Sequence, residues 1–102
     1  MEWKRKEYYY DDDDEFIFEG EYLNGERNGK GKEYFKYGKL KFEGEYLNGK
    51  KWSGKGYNQY GNMEFEIKDG KGKIKEYNDK NELIFEGEYL NGKKWKRKRI
   101  LY

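Results

Sequence analysis

Basic residues stand beside a tryptophan at two places in the chain. The first run is Lys50-Lys51-Trp52, and the second begins with Lys93-Lys94-Trp95. The second run continues as Lys96, Arg97, Lys98 and Arg99, so that six of the seven positions from 93 to 99 are basic. Such residues suit anionic lipid headgroups, nucleic acid or an acidic protein surface. Lysines on an edge strand also discourage uncontrolled pairing. The ten residues are therefore candidate partner or lipid contacts, with edge protection as the alternative.

Residues that serve catalysis are scarce. The chain contains no histidine, which is the commonest general base and metal ligand, and no cysteine. Residues 11–15 hold four aspartates and a glutamate, which could suggest calcium. A calcium loop, however, needs alternating ligands, a central glycine and a distal bidentate glutamate, and this run lacks that order. We interpret it as a solvated acidic turn, and we expect a chain that is not an enzyme and uses no cofactor or metal.

One stretch organises the whole sequence. The segment at 18–25 recurs almost unchanged at 42–49 and 85–92, and a degraded copy begins at Phe65. The unit thus repeats about every 20 to 24 residues, which is typical of a repeat array whose units cannot bury their apolar surface alone.

Each unit has the pattern of a β-hairpin. Phe18, Gly20 and Tyr22 alternate with polar residues at the period of a strand, and Asn24-Gly25 follows at once. Asn-Gly is a preferred pair for a two-residue hairpin turn, because both residues need a positive φ. Asn-Gly recurs in two other units, and Asp-Gly replaces it in the degraded one.

A two-residue turn predicts the register of the first hairpin. It places Glu19 opposite Lys30 and Phe18 opposite Gly31, so that a ring lies over a residue without a side chain. The second unit has one residue more, which predicts a β-bulge near Trp52 or Ser53 and places Phe42 opposite Gly56.

The degraded unit follows the same rule. A two-residue turn at Asp69-Gly70 predicts three cross-strand pairs, namely Glu66 with Lys73, Glu64 with Lys75, and Ile67 with Gly72. Both charged pairs keep opposite signs.

The unit resembles the MORN repeat over residues 16–102. An aromatic-x-Gly-x-aromatic strand, an Asn-Gly turn and a Gly-x-Gly segment carry the resemblance. The repeat residues are Phe18, Gly20, Tyr22, Gly31, Phe42, Gly44, Tyr46, Gly56, Phe85, Gly87 and Tyr89. The resemblance implies a non-catalytic scaffold for protein contacts and membrane association, sometimes appended to an enzyme.

The repeats predict one all-β domain, an elongated single-layer antiparallel meander of about nine strands. The domain spans 1–102, with a partial N-terminal strand and acidic turn at 1–15 and repeats at 16–39, 40–62, 63–82 and 83–102. Within the N-terminal strand, Lys6-Glu7-Tyr8 matches Lys32-Glu33-Tyr34.

The composition is compatible with a folded sheet. Charged residues make up 43% of the chain, which by itself would favour disorder. The chain also carries 12 Tyr, 6 Phe and 3 Trp at regular places, and each can bury a large area. We assign these aromatic residues to the core and sheet faces, with ligand contact as the alternative.

Two functions follow from this pattern. The first is a repeat scaffold for protein–protein interaction or assembly, in which the edge strands at 3–10 and 95–102 could also mediate self-association. The second is a peripheral module that binds an anionic membrane surface through basic and aromatic residues. We do not expect nucleic acid as a partner. The predicted location is cytoplasmic, at a membrane surface if the second function holds.

Overall fold

Nine β-strands make up the part of the molecule that the structure describes. The computed structural model describes residues 4–12 and 15–99. The strands are β1 (Lys4–Tyr10), β2 (Phe16–Leu23), β3 (Glu26–Tyr34), β4 (Leu40–Leu47), β5 (Lys50–Tyr57), β6 (Met63–Ile67), β7 (Gly72–Tyr77), β8 (Leu83–Leu90) and β9 (Lys93–Arg99).

Every neighbouring pair in the sheets is antiparallel, and the strands follow chain order. Strands β1 to β6 form one sheet and β7 to β9 form a second. The predicted all-β meander of nine strands is confirmed. We call β2, β4, β6 and β8 the first strands of the repeats, and β1, β3, β5, β7 and β9 the second strands.

The hairpin turns adopt the conformation that their sequence favours. Asn24 has φ 53° and Gly25 has φ 80°, as a turn with two positive φ angles requires. The turns are also joined to one another by backbone hydrogen bonds. Gly49 donates its N–H to the carbonyl of Arg27, and Gly92 donates to the carbonyl of Gly70. The turns therefore stack along one side of the array.

Five-residue loops close the opposite side, which we call the loop rim. Each loop is closed by a hydrogen bond between its first and last residues, as in Asn58 N–H to the Asn62 carbonyl. The loop 11–15 has the same closure and is therefore the equivalent of the other three. The Asn58 side chain accepts bonds from the Tyr60 and Asn62 N–H groups, which fixes that loop locally.

A β-bulge recurs where the second strands β1, β3, β5 and β7 end. The register shifts between Tyr9 and Tyr10 in β1, and at Tyr34, Tyr57 and Tyr77 in the later strands. These four tyrosines are therefore equivalent. The predicted match of Lys6-Glu7-Tyr8 with Lys32-Glu33-Tyr34 is wrong by two residues, because the bulge places Tyr10 at the position of Tyr34.

The register of the first hairpin differs from the prediction. Glu19 lies opposite Lys32 rather than Lys30, and Phe18 lies opposite Glu33 rather than Gly31. Beyond the pair Tyr22 and Arg27, β3 has two more residues than β2 before Gly20 pairs with Gly31. A bulge that includes Gly29, with φ 103°, accommodates them.

The ring over Gly31 is present despite the new register. A Cβ atom on Gly31 would lie 2.9 Å from the Tyr46 ring and 3.0 Å from the Phe18 ring. Glycine is therefore required there for the rings to pack against the backbone.

The second hairpin is as predicted in register, with Phe42 opposite Gly56 and one extra residue at Trp52. The ring that covers Gly56 is nevertheless Phe65, while the Phe42 ring lies over Gly54. The prediction that Gly56 lies under Phe42 is wrong, because the Phe42 ring leans along its strand towards the row of glycines.

The predicted ladder between β6 and β7 is absent. Glu66 pairs with Lys55, Lys73 pairs with Glu88, and the one bridge described between the two strands joins Lys68 and Lys71. In the other strands a glycine row crosses the sheet, from Gly20 through Gly31 and Gly44 to Gly54. Ile67 and Ile74 occupy that row in β6 and β7, and both are buried. Branched side chains thus occupy the positions in β6 and β7 that hold glycine in β2 to β5.

One face of the strands forms the core. Phe18 and Phe42 are 1% and 0% exposed, and their rings meet Tyr22 and Tyr46 edge-on. The other buried residues of this cluster are Phe65, Ile67, Ile74 and Phe85, with Tyr89 packed against them. The aromatic repeat positions therefore build the core, as the period-two pattern predicted.

Candidate functional site

Five charged residues form a chain of alternating sign beside the aromatic core. Glu33 lies 3.3 Å from Arg27 and 3.5 Å from Lys51, and Lys51 lies 3.5 Å from Glu76. Glu76 also lies 2.8 Å from Lys94. We call Arg27, Glu33, Lys51, Glu76 and Lys94 the ion-pair chain. It runs from β3 through β5 and β7 to β9, and so it joins the two sheets.

Each cation of the chain lies over a phenylalanine ring of its own hairpin. The Arg27 Cζ atom is 3.7 Å from the Phe18 centroid, and the Lys51 and Lys94 Nζ atoms are 5.1 and 4.9 Å from Phe42 and Phe85. In every case the cation follows its phenylalanine by the same nine positions. The chain is thus a repeat feature that combines ion pairs with cation–π contacts.

The electrostatics keep both glutamates ionised. Burial by itself would raise the pKa of Glu33, but Lys51, a hydrogen bond from the Tyr46 hydroxyl, and Arg27 hold that pKa below its ordinary value. Burial likewise opposes ionisation of Glu76, and Lys51 and Lys94 hold its pKa below the ordinary value. The pKa of Tyr46 is raised by burial and then by the Glu33 charge, so its hydroxyl stays a donor. Each glutamate of the ion-pair chain lies between two cations, and we interpret the ion-pair chain as a structural element.

The residues of the first basic run make contacts within the fold. The Lys51 side chain is only 15% exposed, because it lies between Glu33 and Glu76. A Cβ atom on Gly70 would lie 2.6 Å from the Trp52 ring, so the indole packs on the next turn. Lys50 packs against Gly92 in the same way. These three residues therefore fix the hairpin turns to one another.

The second basic run lies on β9. Lys94 belongs to the ion-pair chain, although about half of its side chain is exposed. The β9 backbone places Arg97 opposite Gly87 and Lys96 opposite Glu88. The side chains of Trp95 and of residues 96–99 lie outside the part of the chain that the structure describes. Their predicted partner contacts stay predictions.

The face opposite the core carries alternating charges over the glycine row. Glu19, Lys32, Glu43, Lys55 and Glu66 follow one another from β2 to β6 as cross-strand partners. A shallow groove of about 450 Å³ lies there, and its floor includes Gly20, Gly31 and Gly44. The groove walls carry both signs, which is typical of a solvated sheet face.

Exposed tyrosines stand on the loop rim. Tyr37 and Tyr60 occupy the same position in adjacent loops and are 79% and 74% exposed. Tyr37 has φ 73°, which is rare for an aromatic residue and costs free energy. A groove of about 410 Å³ beside Tyr60 is lined by Lys39, Leu40 and Tyr57 among others. Tyr57 and Tyr60 thus give this groove an aromatic lining that the groove over the glycine row does not have.

A second set of exposed tyrosines lies on β1, at the edge of the six-stranded sheet. Tyr8, Tyr9 and Tyr10 are 51%, 41% and 59% exposed. The interior equivalents of Tyr10, which are Tyr34, Tyr57 and Tyr77, are all partly buried. The edge therefore exposes aromatic surface that the rest of the array covers.

Within residues 4–12 and 15–99, no group of three acidic, histidine or cysteine side chains could hold a metal ion. The same part of the chain has no helix with the length and apolar character needed to cross a bilayer. Asp13 and Asp14 of the acidic run lie outside the described residues.

No protein-family model, no curated protein and no solved structure matches this chain. The assignment of function therefore depends on the geometry of its surfaces.

The ion-pair chain was missed at the sequence level. A signal was present, because Glu33 and Glu76 both occur as Lys-Glu-Tyr in a second strand, and a cation follows each complete unit's phenylalanine by nine residues. Because charged residues are ordinarily solvated, neither pattern by itself predicts that their side chains meet inside the fold.

Proposed function

We propose that the chain is a non-catalytic repeat scaffold that binds a protein partner at the β1 edge of its six-stranded sheet. The observation that carries the proposal is the exposure of Tyr8, Tyr9 and Tyr10, while the interior equivalents of Tyr10 are partly buried. Tyrosine is favoured in protein interfaces because its ring is large and rigid and its hydroxyl can bind a partner group.

The position of these residues favours an extended partner. An added strand pairs with an edge strand through its backbone, and side chains at alternate positions give specificity. Strand β1 lies at the end of the sheet order, and its tyrosines supply side-chain contacts on both faces. The resemblance to the MORN repeat supports the same kind of function, since that family looks mainly like a scaffold for protein contacts.

The other titratable groups support a scaffold rather than a reaction centre. Glu33 and Glu76 have pKa values that are lowered by cations which they already contact, and Tyr46 donates to Glu33. Groups arranged in this way stabilise the sheet and are not poised to exchange protons near neutral pH.

The test is selection of random eight-residue peptides on the immobilised protein, followed by mapping of the selected peptides by amide chemical shifts. We expect the shifts to concentrate at residues 4–10, and we expect Tyr8→Ser with Tyr10→Ser to abolish binding. Tyr60→Ser, an equally exposed tyrosine on the loop rim, is the matched control and should bind normally. Selected peptides that bind away from β1, or a library that yields none, would overturn the proposal.

A further inference from the structure

The interior of the array shows what kind of strand lies against a second strand. Strand β3 is a second strand, and first strands lie on both sides of it, β2 before it and β4 after it. Strand β1 is a second strand as well, and β2 stands to it as β4 stands to β3. The outer edge of β1 therefore corresponds to the edge of β3 that pairs with β2.

Strand β2 supplies carboxylates to β3 at that edge. Glu19 lies opposite Lys32, and its Oε1 atom accepts a hydrogen bond of 3.0 Å from the Tyr34 hydroxyl. Two residues along, Glu21 accepts a bond of 2.8 Å from the Lys30 backbone N–H. Strand β2 thus contacts β3 through the two glutamates of a Glu-x-Glu segment.

A tyrosine–carboxylate contact also occurs between β6 and β7. The Tyr77 hydroxyl of β7 donates to Glu64 of β6 over 3.3 Å, although the two strands belong to different sheets. Glu64 precedes Phe65, whereas Glu19 follows Phe18, so this carboxylate comes from a different position of its first strand. In both places the tyrosine at the bulge contacts a carboxylate of the preceding first strand.

The bulge positions show which residues of β1 correspond to those of β3. Tyr10 corresponds to Tyr34 and Tyr77, and Lys6 has the register position of Lys30, because it lies opposite Glu21 as Lys30 lies opposite Glu45. The run Lys4-Arg5-Lys6 also gives the start of β1 a positive charge. An acidic residue opposite Tyr8 would have the position that Glu19 has relative to Tyr34, and a second, two residues along, would have the position that Glu21 has relative to Lys30.

We propose, on the basis of the proposed function, that the partner segment at β1 is an acidic extended strand of the form aromatic-Glu-x-Glu-aromatic. Its first aromatic residue lies opposite Tyr9, where Phe18 stands relative to Glu33 in the interior. Its two glutamates take the places of Glu19 and Glu21.

The occupant is a segment of another protein rather than a second copy of this chain. Strands β2, β4 and β8 each already lie between two strands, and β6 packs against β7 through the Lys68 and Lys71 bridge. The remaining edge strand β9 has six basic residues, so pairing it with the basic start of β1 would oppose like charges.

The probe is a labelled peptide with the sequence Leu-Ile-Phe-Glu-Gly-Glu-Tyr-Leu, which is the sequence of β8. We expect saturable binding to the intact protein by fluorescence anisotropy, with amide shifts at residues 4–10. A matched peptide with both glutamates replaced by lysine should bind at least about tenfold more weakly, because the glutamate at the position of Lys6 would be replaced by a residue with the same charge as Lys6. Tyr10→Phe should weaken binding of the acidic peptide, and Tyr60→Phe should not.

Three results would overturn this inference. Equal binding of the two peptides at β1 would show that the partner segment need not be acidic, and it would leave the proposed function intact. No binding of the acidic peptide, while library peptides do bind β1, would have the same meaning. Concentration-dependent self-association that Tyr10→Ser abolishes would identify a second copy as the occupant.

Discussion

Lys51 and Glu76, which lie 3.5 Å apart, form an ion pair between the two sheets. The pair spans the place where the β6 and β7 backbones do not form a ladder. Because Glu33 contacts the same ammonium group from β3, one lysine holds carboxylates from both sheets. Side-chain ion pairs thus connect the two sheets where β6 and β7 form no backbone ladder.

Lys51→Met should destabilise the fold by about 2 kcal/mol. Removing one partner of a buried pair costs about 3–5 kcal/mol, and the loss is smaller here because Glu33 keeps Arg27 and Glu76 keeps Lys94. Methionine preserves the packing on the Phe42 ring. The measurement is urea unfolding, and Lys55→Met, at an exposed position of the same strand, is the control. Equal midpoints for both variants would contradict the role of Lys51.

The free energy of unfolding should fall as the pH is lowered, because the glutamates of the ion-pair chain become protonated. Both Glu33 and Glu76 have pKa values below the ordinary one in the fold. Their contribution is therefore complete above the unfolded value of about 4.3 and is lost as the pH falls through the lower folded value. Glu33→Gln with Glu76→Gln should flatten this acid limb, measured by unfolding midpoints from pH 6 to about pH 2. An equally steep acid limb in this double variant and in the parent would contradict the role of the two glutamates.

The sequence predicted the strand count and the aromatic core because both depend on local patterns. Alternation around Phe18 and Phe42 and the Asn-Gly turns act within a few residues, and they determine which face is buried. The predicted register of the first hairpin was wrong because the bulge at Gly29 leaves no unambiguous local signal, whereas the extra residue in the second unit predicted the bulge at Trp52. The ion-pair chain and the missing ladder between β6 and β7 depend on contacts between distant strands, and the sequence of a single repeat does not predict such contacts.

Gly31→Val should destabilise the protein by roughly 1–3 kcal/mol. The new side chain would enter space that the Phe18 and Tyr46 rings occupy, at about 3 Å from the Cβ position. Thermal melting measures the effect, and near-ultraviolet circular dichroism reports the displaced rings. Gly38→Asn is the control, because nothing lies within 4 Å and asparagine tolerates φ 90° better than most residues. A Gly31→Val protein that melts with the parent would mean that the rings are not seated there.

Tyr37→Asn should stabilise the protein by on the order of 1 kcal/mol. Tyr37 has φ 73° and is almost fully exposed, so the change relieves backbone strain and loses little packing. Tyr60→Asn, in the equivalent loop but without a positive φ, should give no gain. A lower melting temperature for Tyr37→Asn would show that the exposed ring contributes more than its conformation costs.

Phosphatidylserine vesicles test the membrane alternative. We expect the protein to stay in the supernatant at physiological salt, because Lys51 and Lys94 are engaged by Glu76 and Trp52 packs on Gly70. Sedimentation with the vesicles that weakens as salt rises would instead support an anionic membrane as the partner. Neutral phosphatidylcholine vesicles provide the control.

The recurring bulges at Tyr10, Tyr34, Tyr57 and Tyr77 give the array tolerance to changes in length. Each bulge leaves one residue of the following first strand without a cross-strand partner, so the ladder accepts an extra residue at these points and keeps the same face buried. The extra residue at Trp52 shows such an offset confined to its own hairpin. Single-residue insertions and deletions at these points, and gain or loss of whole units, are therefore open to evolution without rebuilding the core.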